Sequence, residues 1–105
     1  MIRHIVWWKL KAEAEGATAK ENGEKLVAAF HALEGKIPGL VSIECGVNFN
    51  KSEIGNGDIE YDIAVDTTFR TKEALDFYQG HPEHQAIVGL VKKVVVERRA
   101  VDFEY

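Results

Sequence analysis

The stretch IRHIVWWKL, Ile2 to Leu10, alternates side chains with the period of a β-strand. One face carries Ile2, His4, Val6, Trp8 and Leu10; the other carries Arg3, Ile5, Trp7 and Lys9. Large apolar groups stand on both faces, which predicts a strand covered on both sides. The surrounding MIRHIVWWKLK keeps charges on either side of the apolar centre and lacks a small-residue cleavage site. It reads as a strand and not as a signal peptide.

Working outward, Thr18 and Glu21 have the spacing of a capping box, and Leu26, Val27, Phe30 and Leu33 follow at helical intervals. Gly35 is the expected stop, and Gly23 places the firm start of this helix near Glu24. Residues 40–49 alternate again, with Val41, Ile43, Cys45, Val47 and Phe49 expected inward. The polar NKSEIGNGD is a connection longer than a tight hairpin needs. Residues 59–69 form a third alternating run, with Ile59, Tyr61, Ile63, Val65, Thr67 and Phe69 on one side.

Thr71 can cap a short helix, KEALDFYQ, ending at Gly80. Pro82 suits the first turn of another, running through Ile87, Leu90 and Val91. VVVERRAVDFEY closes the chain as a strand. The order β-α-β-β-α-β predicts an α+β, ferredoxin-like domain spanning residues 1–105, with helices on one face of an antiparallel four-stranded sheet. Ile5 and Trp7 in the first strand, and Val101, Phe103 and Tyr105 in the last, lie on the face away from the helices. Two apolar sheet faces with one set of helices predict a homodimer joined through the sheet.

Bulk properties narrow the function classes. At 105 residues the chain is one domain with a modest core. Its hydrophobic fraction of 46% and charged fraction of 29% are ordinary for a soluble protein. A net charge of -4 argues against nucleic-acid and anionic-membrane partners. No apolar run approaches the roughly 18 residues that cross a bilayer. Cys45, the single cysteine, excludes an intrachain disulfide and a cysteine-based zinc site, and the expected location is cytoplasmic.

The segment FYQGHPEHQ, Phe77 to Gln85, sets a phenol and two imidazoles around a Gly-His-Pro break. His81 precedes a proline, so its backbone leaves the helical region and its ring is expected in solvent. Tyr78 follows Leu75 at core spacing, and His84 can as readily bond a backbone carbonyl or His4 as act on a ligand. His4, facing the helices, is either a pocket wall or a core histidine with a partner. His31 is expected exposed, and Cys45 reads as a small buried residue. Arg98 and Arg99 can hold an anion or balance Glu97 and Asp102. GNGD, residues 55–58, lacks the context of a phosphate loop.

MIRHIVWWKLK, GKIPGLVSIECGVN, FRTKEALDFYQGHPEHQAIV with its His81-Pro82-Glu83-His84, and VVVERRAVDFEY together resemble the stress-responsive A/B barrel family over almost the whole chain. The resemblance implies a homodimeric α/β barrel. One branch of that family resembles aldol-type polyketide cyclases, whose catalytic Tyr–His pair maps onto Tyr78 and His84. The pocket positions implied are His4, Val6, Trp8, Leu26, Val27, Phe30, Val65, Ile87 and Val88, mostly apolar as a site for an aromatic or polyketide-like molecule requires. In this sequence Trp8 is larger than the aliphatic or Phe side chain usual there. A histidine suits proton abstraction beside a carbonyl, and a buried tyrosine suits oxyanion donation; neither needs a cofactor or metal. The reading is therefore small-molecule binding by a protein of unassigned activity, with a cofactor-independent cyclase as the alternative. A haem-degrading or quinol monooxygenase is a third class compatible with the fold.

Overall fold

A computed structural model describes residues 1–49 and 61–105. The elements are β1 (Ile2–Leu10), β2 (Glu13–Ala14), β3 (Ala17–Thr18), α1 (Ala19–His31), β4 (Leu40–Val47), β5 (Ile63–Phe69), α2 (Lys72–Gly80), α3 (Pro82–Val94) and β6 (Val95–Glu104). The main sheet has the order β4-β5-β1-β6 with every neighbouring pair antiparallel, a ferredoxin-like arrangement. Ile59 and the GNGD segment fall outside the described residues.

Local chemistry sets the helix ends. The Glu21 amide donates to Thr18 Oγ1 at 3.2 Å and the Thr18 amide to Glu21 Oε1 at 3.0 Å, completing the capping box of α1. Thr71 Oγ1 accepts from the Ala74 amide at 3.1 Å and starts α2. His81 caps α3, its Nδ1 accepting from the Glu83 amide at 3.1 Å, and Pro82 occupies the first turn. The His81 ring is half-buried and meets Phe77 edge-on at 5.6 Å, where a solvent-facing ring was expected.

The helices lie on the face of β1 formed by Ile2, His4, Val6, Trp8 and Leu10, all buried. Leu26, Phe30, Leu33, Phe69, Tyr78, Ile87, Val91 and Val94 belong to this core, together with Ile37, Ile43, Ile63, Val65 and Leu75. Aromatic rings dominate its centre: Trp8 stacks on Phe30 at 5.3 Å and Phe69 tilts against Tyr78 at 5.0 Å. Such pairs contribute about 1 kcal/mol each beyond the area they bury.

Several local expectations are overturned. α1 begins at Ala19 and runs through Gly23, which is buried because a Cβ there would stand 3.2 Å from Ile63 and 3.4 Å from Leu10. The helix ends at His31, ahead of Gly35. Of the five residues expected inward, only Ile43 and Cys45 pack on the core; Val41, Val47 and Phe49 are exposed. The ladder skips Val41 as a bulge near the start of this edge strand. Tyr61 precedes β5 and sits near Trp7, ring centroids 6.4 Å apart, on the opposite face from Ile63. Gly39, at φ +87°, lets the turn before β4 approach α2, where a Cβ would meet that of Ala74 at 2.6 Å.

No helix covers the second face of the sheet among the described residues. Ile5 lies between Asp66 and Val101 in the ladder, and Trp7 between Ala64 and Arg99. Val101, Phe103 and Tyr105 are all more than 40% exposed on this face, an apolar area with Arg3 at its edge. Arg3 pairs with Asp66 at 3.6 Å and sits over the Tyr105 ring at 5.1 Å.

Candidate functional site

Between the helix-facing side of the sheet and α2–α3 lies a pocket of about 320 Å³. β1 contributes His4, Val6 and Trp8, β5 contributes Val65, and α1 contributes Phe30. Tyr78 and Gln79 come from the end of α2, and His84, Gln85, Val88, Val91 and Lys92 from α3; Arg98 of β6 completes the wall. Trp8 does not fill this space: its stacking on Phe30 makes it one wall, with its indole Nε1 buried and without a partner among the described residues.

Of the residues expected at a pocket, His4, Val6, Trp8, Phe30, Val65, Tyr78, His84 and Val88 border it. Leu26, Val27 and Ile87 do not. Leu26 is fully buried in the core, the Val27 carbonyl accepts the Cys45 thiol at 3.4 Å, and Ile87 packs into the core. Gln79, Gln85, Val91, Lys92 and Arg98 were not anticipated. Val91 and Lys92 follow Val88 by one helical turn, and Arg98 shares the parity of Ala100 and Asp102, so their placement was open to the same periodic reading.

The Gly80–His81–Pro82 corner folds α3 back so that the Tyr78 and His84 rings meet, centroids 4.3 Å apart and tilted by 45°. The Gln79 carbonyl lies 3.2 Å from His84 Nδ1. A carbonyl only accepts, so neutral His84 carries its proton on Nδ1, leaving the Nε2 lone pair available. Burial disfavours the imidazolium and lowers the His84 pKa, aided by the charges of His4, Arg98 and His81 and opposed by the Gln79 bond. Burial is thus the main cause. Burial also raises the Tyr78 phenol well above its usual value near 10, with a smaller contribution from Cys45. Both groups are neutral at pH 7.

His4, 5% exposed, has its Nδ1 hydrogen-bonded to Asp102 Oδ1 across the β1–β6 ladder. This core histidine is therefore both partnered and part of the pocket wall, with Nε2 as its remaining nitrogen. His31 is exposed but caps the sheet edge, its Nε2 accepting from the Cys45 amide at 3.3 Å. Burial raises the Cys45 thiol to about 11, which keeps it protonated. Among the described residues no group of three or more His, Cys, Asp or Glu side chains could hold a metal, and no helix is long and apolar enough to cross a membrane.

The lowered His84 pKa predicts a protonation midpoint below about 6.5, read from its Cε1–H resonance in a pH titration. The native state prefers neutral His84. Its contribution to stability is complete above about pH 6.5 and is lost as pH falls through the lowered midpoint.

The chain is 37% identical over 92 residues, 86% of each chain, to the uncharacterized protein SCO4036 of Streptomyces coelicolor. A dimeric ferredoxin-like protein of unknown function from Bacteroides fragilis superposes with a TM-score of 0.79 at 28% identity, covering 99% of this chain and 95% of that one. A dimeric ferredoxin-like protein of unknown function from Thermobifida fusca gives 0.77 at 26% identity, covering 99% and 90%. The family model for the stress responsive A/B barrel domain matches residues 2–105, and the chain belongs to that family.

Proposed function

We propose that this protein is a cytoplasmic homodimer in which each protomer holds an apolar or aromatic small molecule between helices and sheet. The observation that carries the reading is the 320 Å³ pocket walled by Val6, Trp8, Phe30, Val65 and Val88, with His4, Tyr78 and His84 as its polar groups. Apolar walls with few converging polar groups are the usual composition of a ligand site, and the volume suits one or two rings. The dimer is supported by the apolar open sheet face and by the dimeric Bacteroides and Thermobifida relatives.

The juxtaposition of Tyr78 and His84 favours a second reading, cofactor-independent aldol-type cyclisation. His84 Nε2 would remove a proton beside one carbonyl, and the resulting enolate carbon would attack a second carbonyl of the same molecule. The Tyr78 hydroxyl would donate to the alkoxide as the new carbon–carbon bond forms. The imidazolium then returns its proton to that oxygen, which regenerates His84; loss of that hydroxyl as water and enolisation of the ring carbonyls give the aromatic product, with no redox partner needed.

Titration with 2-naphthol, followed by amide shifts, is expected to perturb Val6, Val65 and Val88. Val88→Trp, which fills the pocket, is expected to weaken binding at least about tenfold while the spectrum stays folded. Binding that survives this substitution rejects the pocket. For the second reading, heptane-2,4,6-trione is a minimal cyclisation probe. Formation of orcinol that drops about a hundredfold or more in His84→Ala, and declines on the acid side as His84 protonates, would establish it; no turnover would leave binding alone. Val101→Asp places a charge on the open sheet face and is expected to convert the dimer to monomer in sedimentation experiments.

A further inference from the structure

We propose that the ligand is an acid, with an apolar or aromatic body in the pocket and a carboxylate received at its mouth by Arg98 and Lys92. This rests on the pocket reading above and narrows it. Arg98 and Lys92 both border the pocket, and among the described residues no Asp or Glu does. Arg98 lies opposite Trp8 in the β1–β6 ladder, which turns it to the helix side of the sheet. Arg99 lies opposite Trp7, on the other face, and is paired with Glu97 at 2.8 Å. The two arginines are thus not a pair.

Carboxylates near these cations are committed elsewhere. Asp102, on the same side of β6, holds His4 Nδ1. Glu15 pairs with Lys93 at 3.6 Å and not with Lys92. Among the described residues the Arg98 guanidinium and the Lys92 ammonium make no ion pair or side-chain hydrogen bond. Lys92 lies in the last turn of α3, where a cation complements the helix terminus without any ligand. Arg98 is in a strand and has no such role. A guanidinium presents two parallel N–H donors matched to the two oxygens of a carboxylate, and the apolar wall beneath it lowers the local dielectric. Arg98 and His84 both border the pocket.

Calorimetric titration with 2-naphthoate and its neutral counterpart 2-naphthamide, at pH 7.5 and low salt, tests the proposal. Wild type is expected to bind the acid about tenfold tighter than the amide. Arg98→Gln should remove most of that preference; Lys92→Gln should reduce it less, and Arg99→Gln, on the other face of the sheet, should leave both the preference and amide binding unchanged. Equal or tighter binding of the amide by wild type would overturn the acid inference while leaving the pocket reading intact. A preference for the acid that persists in the double substitution of Arg98 and Lys92 to Gln would overturn it as well. Binding of neither compound would overturn both.

Discussion

Everything in this protomer is hung on β1, one of the two inner strands that pair along both edges. Its backbone groups are satisfied by β5 on one side and β6 on the other, so its register fixes which side chains face the helices. A slip of one residue would exchange Ile2, His4, Val6, Trp8 and Leu10 for Arg3, Ile5, Trp7 and Lys9. The first set closes the core and floors the pocket; the second belongs to the open face. The same ladder carries Asp102 to His4 and Arg98 to the pocket, because β6 pairs with β1 in the register that sets Asp102 opposite His4 and Arg98 opposite Trp8.

The pocket depends equally on a failure of helix continuity. Had α2 and α3 formed one helix, Tyr78 and His84 would be six residues apart, well round the cylinder from each other. Pro82 has no amide to donate and forces His81 into an extended conformation, at φ -68° and ψ 136°. The chain turns, and the ring of His84 comes against that of Tyr78. Burial then does the electrostatic part, keeping the phenol protonated and the imidazole neutral. A neutral donor and a neutral base side by side suit either the binding of a polar ligand group or proton transfer.

Where the sequence misleads, it does so because alternation records the side of a strand and not what lies above it. Val41, Val47 and Phe49 share parity with Ile43 and Cys45, yet only the latter two pack on the core. β4 is an edge strand, and a bulge at its start breaks the phase. Gly23 illustrates a different limit. Intrinsic propensity marks it as a weak point of α1, while packing against Ile63 and Leu10 favours a residue without a side chain there. Val27 and Ile87 have pocket-like chemistry and helical spacing, but both pack against the core and neither borders the void.

The sequence by itself determined the order of the four main-sheet strands and the helices between them, though not the small β2–β3 hairpin, along with the caps at Thr18, Thr71 and His81-Pro82, the two-faced character of β1 and the residue types gathered around the Gly-His-Pro corner. These are local or periodic properties, written within a few turns or strand steps of the chain. Only the tertiary structure decided that a space of about 320 Å³ remains beside Trp8, that His4 is engaged by Asp102, and that Arg98 parts from Arg99 to border the pocket. Each is a relation between residues tens of positions apart, or between neighbours on opposite faces of a strand. Such relations exist only once sheet register and helix packing have set their distances.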